Sequence, residues 1–128
     1  MATSTPTSAA LRPERELLIA WLLLLLGNGP SYGYQLRRAL RARGLTIDAA
    51  TMYRVLRKLD EDGLVASRWT ESIAGPRRRL YRVTGEGRRA LDALAGKMTA
   101  IRDTHDAFAH AYSVAHPSDA GENTARLN

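Results

Sequence analysis

The chain has no cysteine in its 128 residues. That excludes a disulfide-held scaffold and a zinc site with thiolate ligands, and it fits a reducing compartment. A long hydrophobic run is missing too. The longest, residues 17–26 (LLIAWLLLLL), has ten residues, about half of the roughly 20 that a spanning helix needs. Glu14 and Glu16 flank it where a signal peptide would carry basic residues, and no small-residue cleavage site is apparent. The run therefore reads as a helix buried nearly all round, and the expected location is the cytoplasm.

Patterns for catalysis are equally scarce. The chain offers no clear pair of catalytic carboxylates and no nucleophile motif. Gly85-Glu86-Gly87 has two glycines at a strand–helix junction, but the rest of a phosphate-binding loop is absent, so it reads as a helix start. His105, His110 and His116 are five and six residues apart, whereas ligands on one helix face recur every three or four. The expectation is a protein that is not an enzyme and uses no metal or cofactor.

What the chain does have is enough apolar residues for one packed domain, 45%, and an uneven charge. Residues 1–30 are neutral, 31–63 carry +3, 64–90 carry +5 and 91–128 carry −2, within a total of +6. A basic middle between a neutral start and an acidic end suits a surface facing phosphates. Solvation of an ordinary surface is the alternative that charge alone leaves open.

Residues 1–12 and 115–128 read as disordered ends around a domain at 13–84 and a helix at 85–114. Pro13 suits the first turn of a helix that stops at Gly27-Asn28-Gly29-Pro30. Ser31 is the expected cap of a second helix with Leu36 and Leu40 inward, closed by Gly44. Asp48 is the expected cap of a third, in which Met52, Val55, Leu56 and Leu59 form one buried stripe at i, i+3, i+4, i+7. Ala50, Arg54, Arg57 and Glu61 then lie opposite, with Tyr53 and Lys58 on the shoulders. Gly63 ends it. Residues 64–69 and 79–83 have strand composition around a loop with Gly75-Pro76, and Thr84 suits the cap of the last helix.

Two helices, a tight turn and a basic β-hairpin outline a winged helix-turn-helix: a mostly α fold with a small β-hairpin, followed by a C-terminal dimerisation helix. A recognition helix buries one face and offers long donors on the other, which Tyr53, Arg54 and Arg57 do, with Lys58 beside them. The Thr51 and Tyr53 hydroxyls suit phosphates. Of Tyr32 and Tyr34, one would support the core while the other points at the DNA backbone. Arg77, Arg78 and Arg79 would put three guanidinium groups on an exposed wing turn, suited to a minor groove. The partner expected is double-stranded DNA. A winged helix that binds an acidic protein is the alternative.

In the last helix Leu91, Leu94, Met98, Ile101, His105, Phe108 and Tyr112 are spaced 3, 4, 3, 4, 3, 4. That is a seam for two-helix packing, either inside the same domain or against a second copy, with the second copy the expected occupant.

Several of these residues stand in a familiar order. Tyr32-Gly33-Tyr34-Gln35-Leu36, Thr51-Met52-Tyr53 and Leu56-x-x-Leu59-x-x-x-Gly63-Leu64-Val65 resemble the PadR family of bacterial transcriptional regulators. Trp69, Gly75-Pro76-Arg77-Arg78-Arg79-x-Tyr81-x-Val83-Thr84 and Gly87-x-x-x-Leu91 extend the resemblance over about residues 14–98. The family pattern has proline after the tyrosine matching Tyr53, where this chain has Arg54, so its base contacts are expected to differ. The resemblance implies a homodimeric winged-helix repressor released by a small-molecule effector, an aromatic compound in some members. By position Trp21, Met98, Ile101 and His105 would line such an effector site. Trp21 as plain core and His105 as a polar register-setter in the seam are the alternatives.

Overall fold

The structure, a computed structural model, describes residues 13–71 and 74–117. The ends expected to be disordered, residues 1–12 and all but three of 115–128, lie outside the described residues. The chain divides into two compact units, one ending at Leu94 and the other beginning at Ala95.

The first unit starts with α1 (Arg15–Leu26), whose N-cap is Glu14, so Pro13 precedes the helix instead of entering its first turn. Leu18, Leu22, Leu23 and Leu26 are at most 2% exposed and form the centre of the core. Leu24, by contrast, is 50% exposed, and Leu17, Ile19, Trp21 and Leu25 are half-buried. Burial nearly all round is therefore corrected: the leucines circle the helix, but the unit covers only part of that circle. Among the described residues no helix is long and apolar enough to cross a membrane.

After the turn at residues 27–30 come β1 (Ser31–Tyr32) and α2 (Gly33–Ala42). Ser31 is thus not the cap of α2. The chain there is still extended and paired with the sheet, Ser31 opposite Tyr81 and Tyr32 opposite Leu80. Tyr32 is the cap residue, and its N–H donates to Gln35 Oε1 at 3.0 Å. Leu36 and Leu40 are buried as read.

α2 and α3 (Ala49–Glu61) end by the same device. Gly44 and Gly63 have φ of 79° and 78°, a conformation that costs glycine little. The following N–H then reaches back, Leu45 to Leu40 O at 3.0 Å and Leu64 to Leu59 O at 2.9 Å. The second of these bonds holds Leu64 in the helix terminus, so β2 (Val65–Thr70) starts one residue later than its composition predicts. Met52, Val55, Leu56 and Leu59 are the buried stripe of α3, and Asp48 caps it by accepting the Thr51 N–H at 3.0 Å.

β3 (Arg78–Val83) pairs antiparallel with β2 from Val65 opposite Val83 to Thr70 opposite Arg78. β1 lies on the other edge of β3, giving a three-stranded sheet of order β1-β3-β2 where a two-stranded hairpin is expected. A two-residue strand is too short to leave a period-2 signature. Thr84 donates from Oγ1 to Gly63 O at 2.6 Å and accepts the Gly87 N–H at 3.0 Å, so it starts α4 (Gly85–Ala115). Ala90, Leu91 and Leu94 pack against the core of the first unit. Three helices with a sheet whose β2–β3 hairpin forms a wing make this unit a winged helix-turn-helix, followed by a long C-terminal helix.

The second unit holds the rest of α4. Ile101, Phe108 and Tyr112 are 44%, 71% and 47% exposed. The Phe108 and Tyr112 rings lie 6.5 Å apart, and His116 stacks on Tyr112 at 4.4 Å.

Candidate nucleic-acid interface

Within the first unit, the start of α2, the outer face of α3 and the wing enclose a cleft of about 470 Å³. α2 contributes Gly33 and Tyr34, with Tyr32 just before it. α3 contributes Tyr53 and Arg57, and the hairpin contributes Trp69 and Arg77, Arg78 and Arg79, with buried Tyr81.

Gly33 is what lets α2 and α3 close on each other here, because a methyl group at that position would run into the Tyr53 ring. Tyr53 is 46% exposed, packed on one side and open on the other. The two tyrosines at the start of α2 divide their work. The Tyr32 hydroxyl is 3.1 Å from Thr70 Oγ1, which donates to Arg78 O, so Tyr32 braces the wing. Tyr34 is the exposed one, 39% accessible.

The wing arginines are not three equivalent groups on a turn. Arg77 lies in the loop and ion-pairs with Glu71 at 3.3 Å. Arg78 and Arg79 are in β3, where successive side chains take opposite faces. The Arg78 guanidinium lies 4.9 Å from the Tyr34 ring centre, and Arg38 is 5.9 Å from the same ring. Arg79 is half-buried with its guanidinium 4.8 Å from the Trp69 ring centre, and Arg77 is 5.4 Å from it. Each such cation–ring contact is worth about 0.5–1 kcal/mol at an exposed site. Their further effect is to hold flexible side chains in place.

Trp69 and Tyr81 have a structural placement that motif reading alone did not supply. The signal was available in the strand period, since Trp69 pairs with Arg79 and Ser67 with Tyr81, one side-chain row on one face. Burial pushes the Tyr81 phenol above its usual 10.0, against the opposing pull of the neighbouring Arg79 guanidinium. Ser67 Oγ donates to the Asp60 carboxylate and ties β2 to α3.

Thr51 Oγ1 donates to Asp48 Oδ1 at 2.8 Å and accepts from Arg54 Nη2 at 3.1 Å, so Arg54 is anchored at the N-terminal turn of α3. Lys58 pairs with Asp62 at 3.1 Å. Arg57 is exposed at the cleft with no ion-pair partner among the described residues. Trp21 is half-buried, with the Arg43 guanidinium 5.1 Å from its ring centre. Met98, half-buried, and Ile101 and His105, exposed, belong to the second unit.

No curated protein matches the sequence. Among solved structures, a PadR family transcriptional regulator from Eggerthella lenta is 34% identical, with 70% of this chain and 79% of that one covered at a TM-score of 0.65. A transcriptional regulator from Clostridium thermocellum is 26% identical over 73% and 91% of the two chains, at a TM-score of 0.68. Bacillus subtilis PadR, solved in complex with operator DNA, shares the fold at 22% identity, over 60% of this chain and 45% of that one, at a TM-score of 0.56. The PadR-like family model matches residues 22–93, more than half of the sequence. The chain belongs to the PadR-like family of transcriptional regulators.

Proposed function

We propose that the protein is a homodimeric, sequence-specific DNA-binding repressor released from its operator by a small molecule. The observation that carries the DNA reading is the single basic, aromatic surface formed by α3 and the wing. Arg54 and Arg57 stand on the outer face of α3, and Arg77, Arg78 and Arg79 surround the adjoining cleft. Arg54, in the N-terminal half of the recognition helix, suits a guanine edge, with about 1–3 kcal/mol of discrimination for a bidentate pair. Tyr34, Tyr53, Lys58 and the wing arginines suit phosphates, with Tyr32 and Thr51 holding them in register. The operator complex of Bacillus subtilis PadR supports the same use of this fold.

The dimer rests on the seam. Leu91 and Leu94 are half-buried, whereas Ile101, Phe108 and Tyr112 present an apolar stripe to solvent. A second copy of the helix covers such a stripe by knobs-into-holes packing, Met98 and His105 included. The two-fold axis then spaces half-sites about one helical turn apart.

A gel shift with the DNA upstream of the protein's own gene, at moderate salt with random competitor, tests the DNA reading. A discrete band that Arg54→Ala or Arg57→Ala weakens is the expected result. Absence of any band favours an adaptor that meets an acidic protein.

A further inference from the structure

The cleft holds more positive charge than its surroundings neutralise. Of its four arginines only Arg77 has a carboxylate partner among the described residues, Glu71, and that pair is exposed. Arg79 is the unusual member. Its Nε is buried and has no hydrogen-bond acceptor among the described residues, while its guanidinium stacks against Trp69. The guanidinium also interacts with the Tyr81 phenol, but a covered N–H without an acceptor is unfavourable, and it is tolerated best where an anion completes the site. Partial removal from water also strengthens its attraction for an incoming negative charge. Trp69 is 51% exposed and close to two guanidiniums, so its ring acts as a bracket on the cleft wall and not as core.

We propose that the cleft is a phosphate seat in which Arg57 and Arg79 take one oxyanion between α3 and the wing, and that Trp69 is the positioning residue that presents Arg79. The ligand chemistry is a phosphate group, from the backbone of bound DNA or free in solution. Only the DNA source rests on the reading given under Proposed function. Guanidinium forks match phosphate geometry, and the rings remove rotamer freedom that binding otherwise has to remove.

The test uses the full chain and follows Trp emission, with Trp69→Phe, which keeps an aromatic bracket, as the control that isolates the Trp69 signal. Sodium phosphate is titrated against sodium chloride of equal ionic strength, and a short random duplex is titrated separately with anisotropy as an independent readout of DNA binding. A saturable emission change with phosphate assigns a free-anion seat, and one with duplex alone assigns a DNA backbone seat. In either case Arg79→Gln weakens binding about tenfold, and in the duplex arm it lowers the salt slope by about one. Trp69→Ala weakens binding without removing a charge, while Trp69→Phe retains it by anisotropy; this pattern is not produced by lost charge and stands if Arg79→Gln misfolds. Duplex bound by anisotropy with Trp69 silent to both titrants overturns the seat while leaving DNA binding intact. Phosphate seated without any duplex binding removes the DNA reading and keeps the seat. Equal responses from the wild-type and Arg79→Gln proteins overturn the proposal.

Discussion

At the scale of single residues, two glycines separate stability from function. Gly87 is buried where a methyl group would meet the Leu64 carbonyl, which is backbone and cannot yield. Gly87→Ala is therefore expected to cost about 1–3 kcal/mol in urea unfolding. At Gly33 the obstacle is the Tyr53 ring, which is half-exposed and free to swing outward. Gly33→Ala should cost less stability than Gly87→Ala but weaken DNA binding by displacing Tyr53; a larger stability loss at Gly33 contradicts this assignment. Tyr81 gives a pH signature. Its phenol loses its proton less readily in the folded state because it is buried. The resulting stabilisation is fully present below the unfolded value of 10.0 and is lost as pH rises through the higher folded value. Comparing thermal melts from pH 9 upward, Tyr81→Phe should decline less steeply than the wild-type protein.

At the scale of elements, α3 depends on its cap. Asp48 accepts the Thr51 N–H, and the same pair of residues orients Arg54. Asp48→Ala is expected to cost about 1 kcal/mol of stability and to loosen Arg54 as well, so specific binding should fall by more than stability alone explains. A loss of stability with specificity unchanged would assign Asp48 to capping only. The helices were legible because their signals are repeated. The four-residue stripe of α3, its acidic cap and the glycines at 44 and 63 agree on the same boundaries. β1 was not legible, since Ser31 and Tyr32 owe their extended state to pairing with Tyr81 and Leu80, some fifty positions away. The wing was half legible. Its arginines stand out in the sequence, but reading them as a turn hid what the strand period dictates, that Arg78 and Arg79 leave β3 on opposite faces, so that of these two Arg79 meets Trp69 and Arg78 meets Tyr34. The burial of α1 was over-read because composition does not say how much of a helix a small unit can surround.

At the scale of the whole molecule, charge and the exposed seam carry the account. Residues 31–90 hold the chain's positive excess, and residues 91–128 are acidic by two charges. The positive excess therefore lies in the segment that contains α2, α3 and the wing. Phe108, 71% exposed in the second unit, is the residue whose exposure a second copy best explains. Phe108→Asp should shift the protein toward monomer in sedimentation and weaken operator binding, because one recognition helix then acts without its partner; an unchanged dimer removes the seam from the interface. The most direct test of the central claim, that α3 and the wing form the DNA-binding surface, is the salt dependence of binding to the protein's own upstream DNA. The wild-type protein should bind it more tightly than a random duplex, with log Kd rising linearly with log salt. Replacing Arg77, Arg78 and Arg79 with Ala should flatten that slope by up to about three. No preference over the random duplex, or a slope untouched by the triple replacement, contradicts the claim.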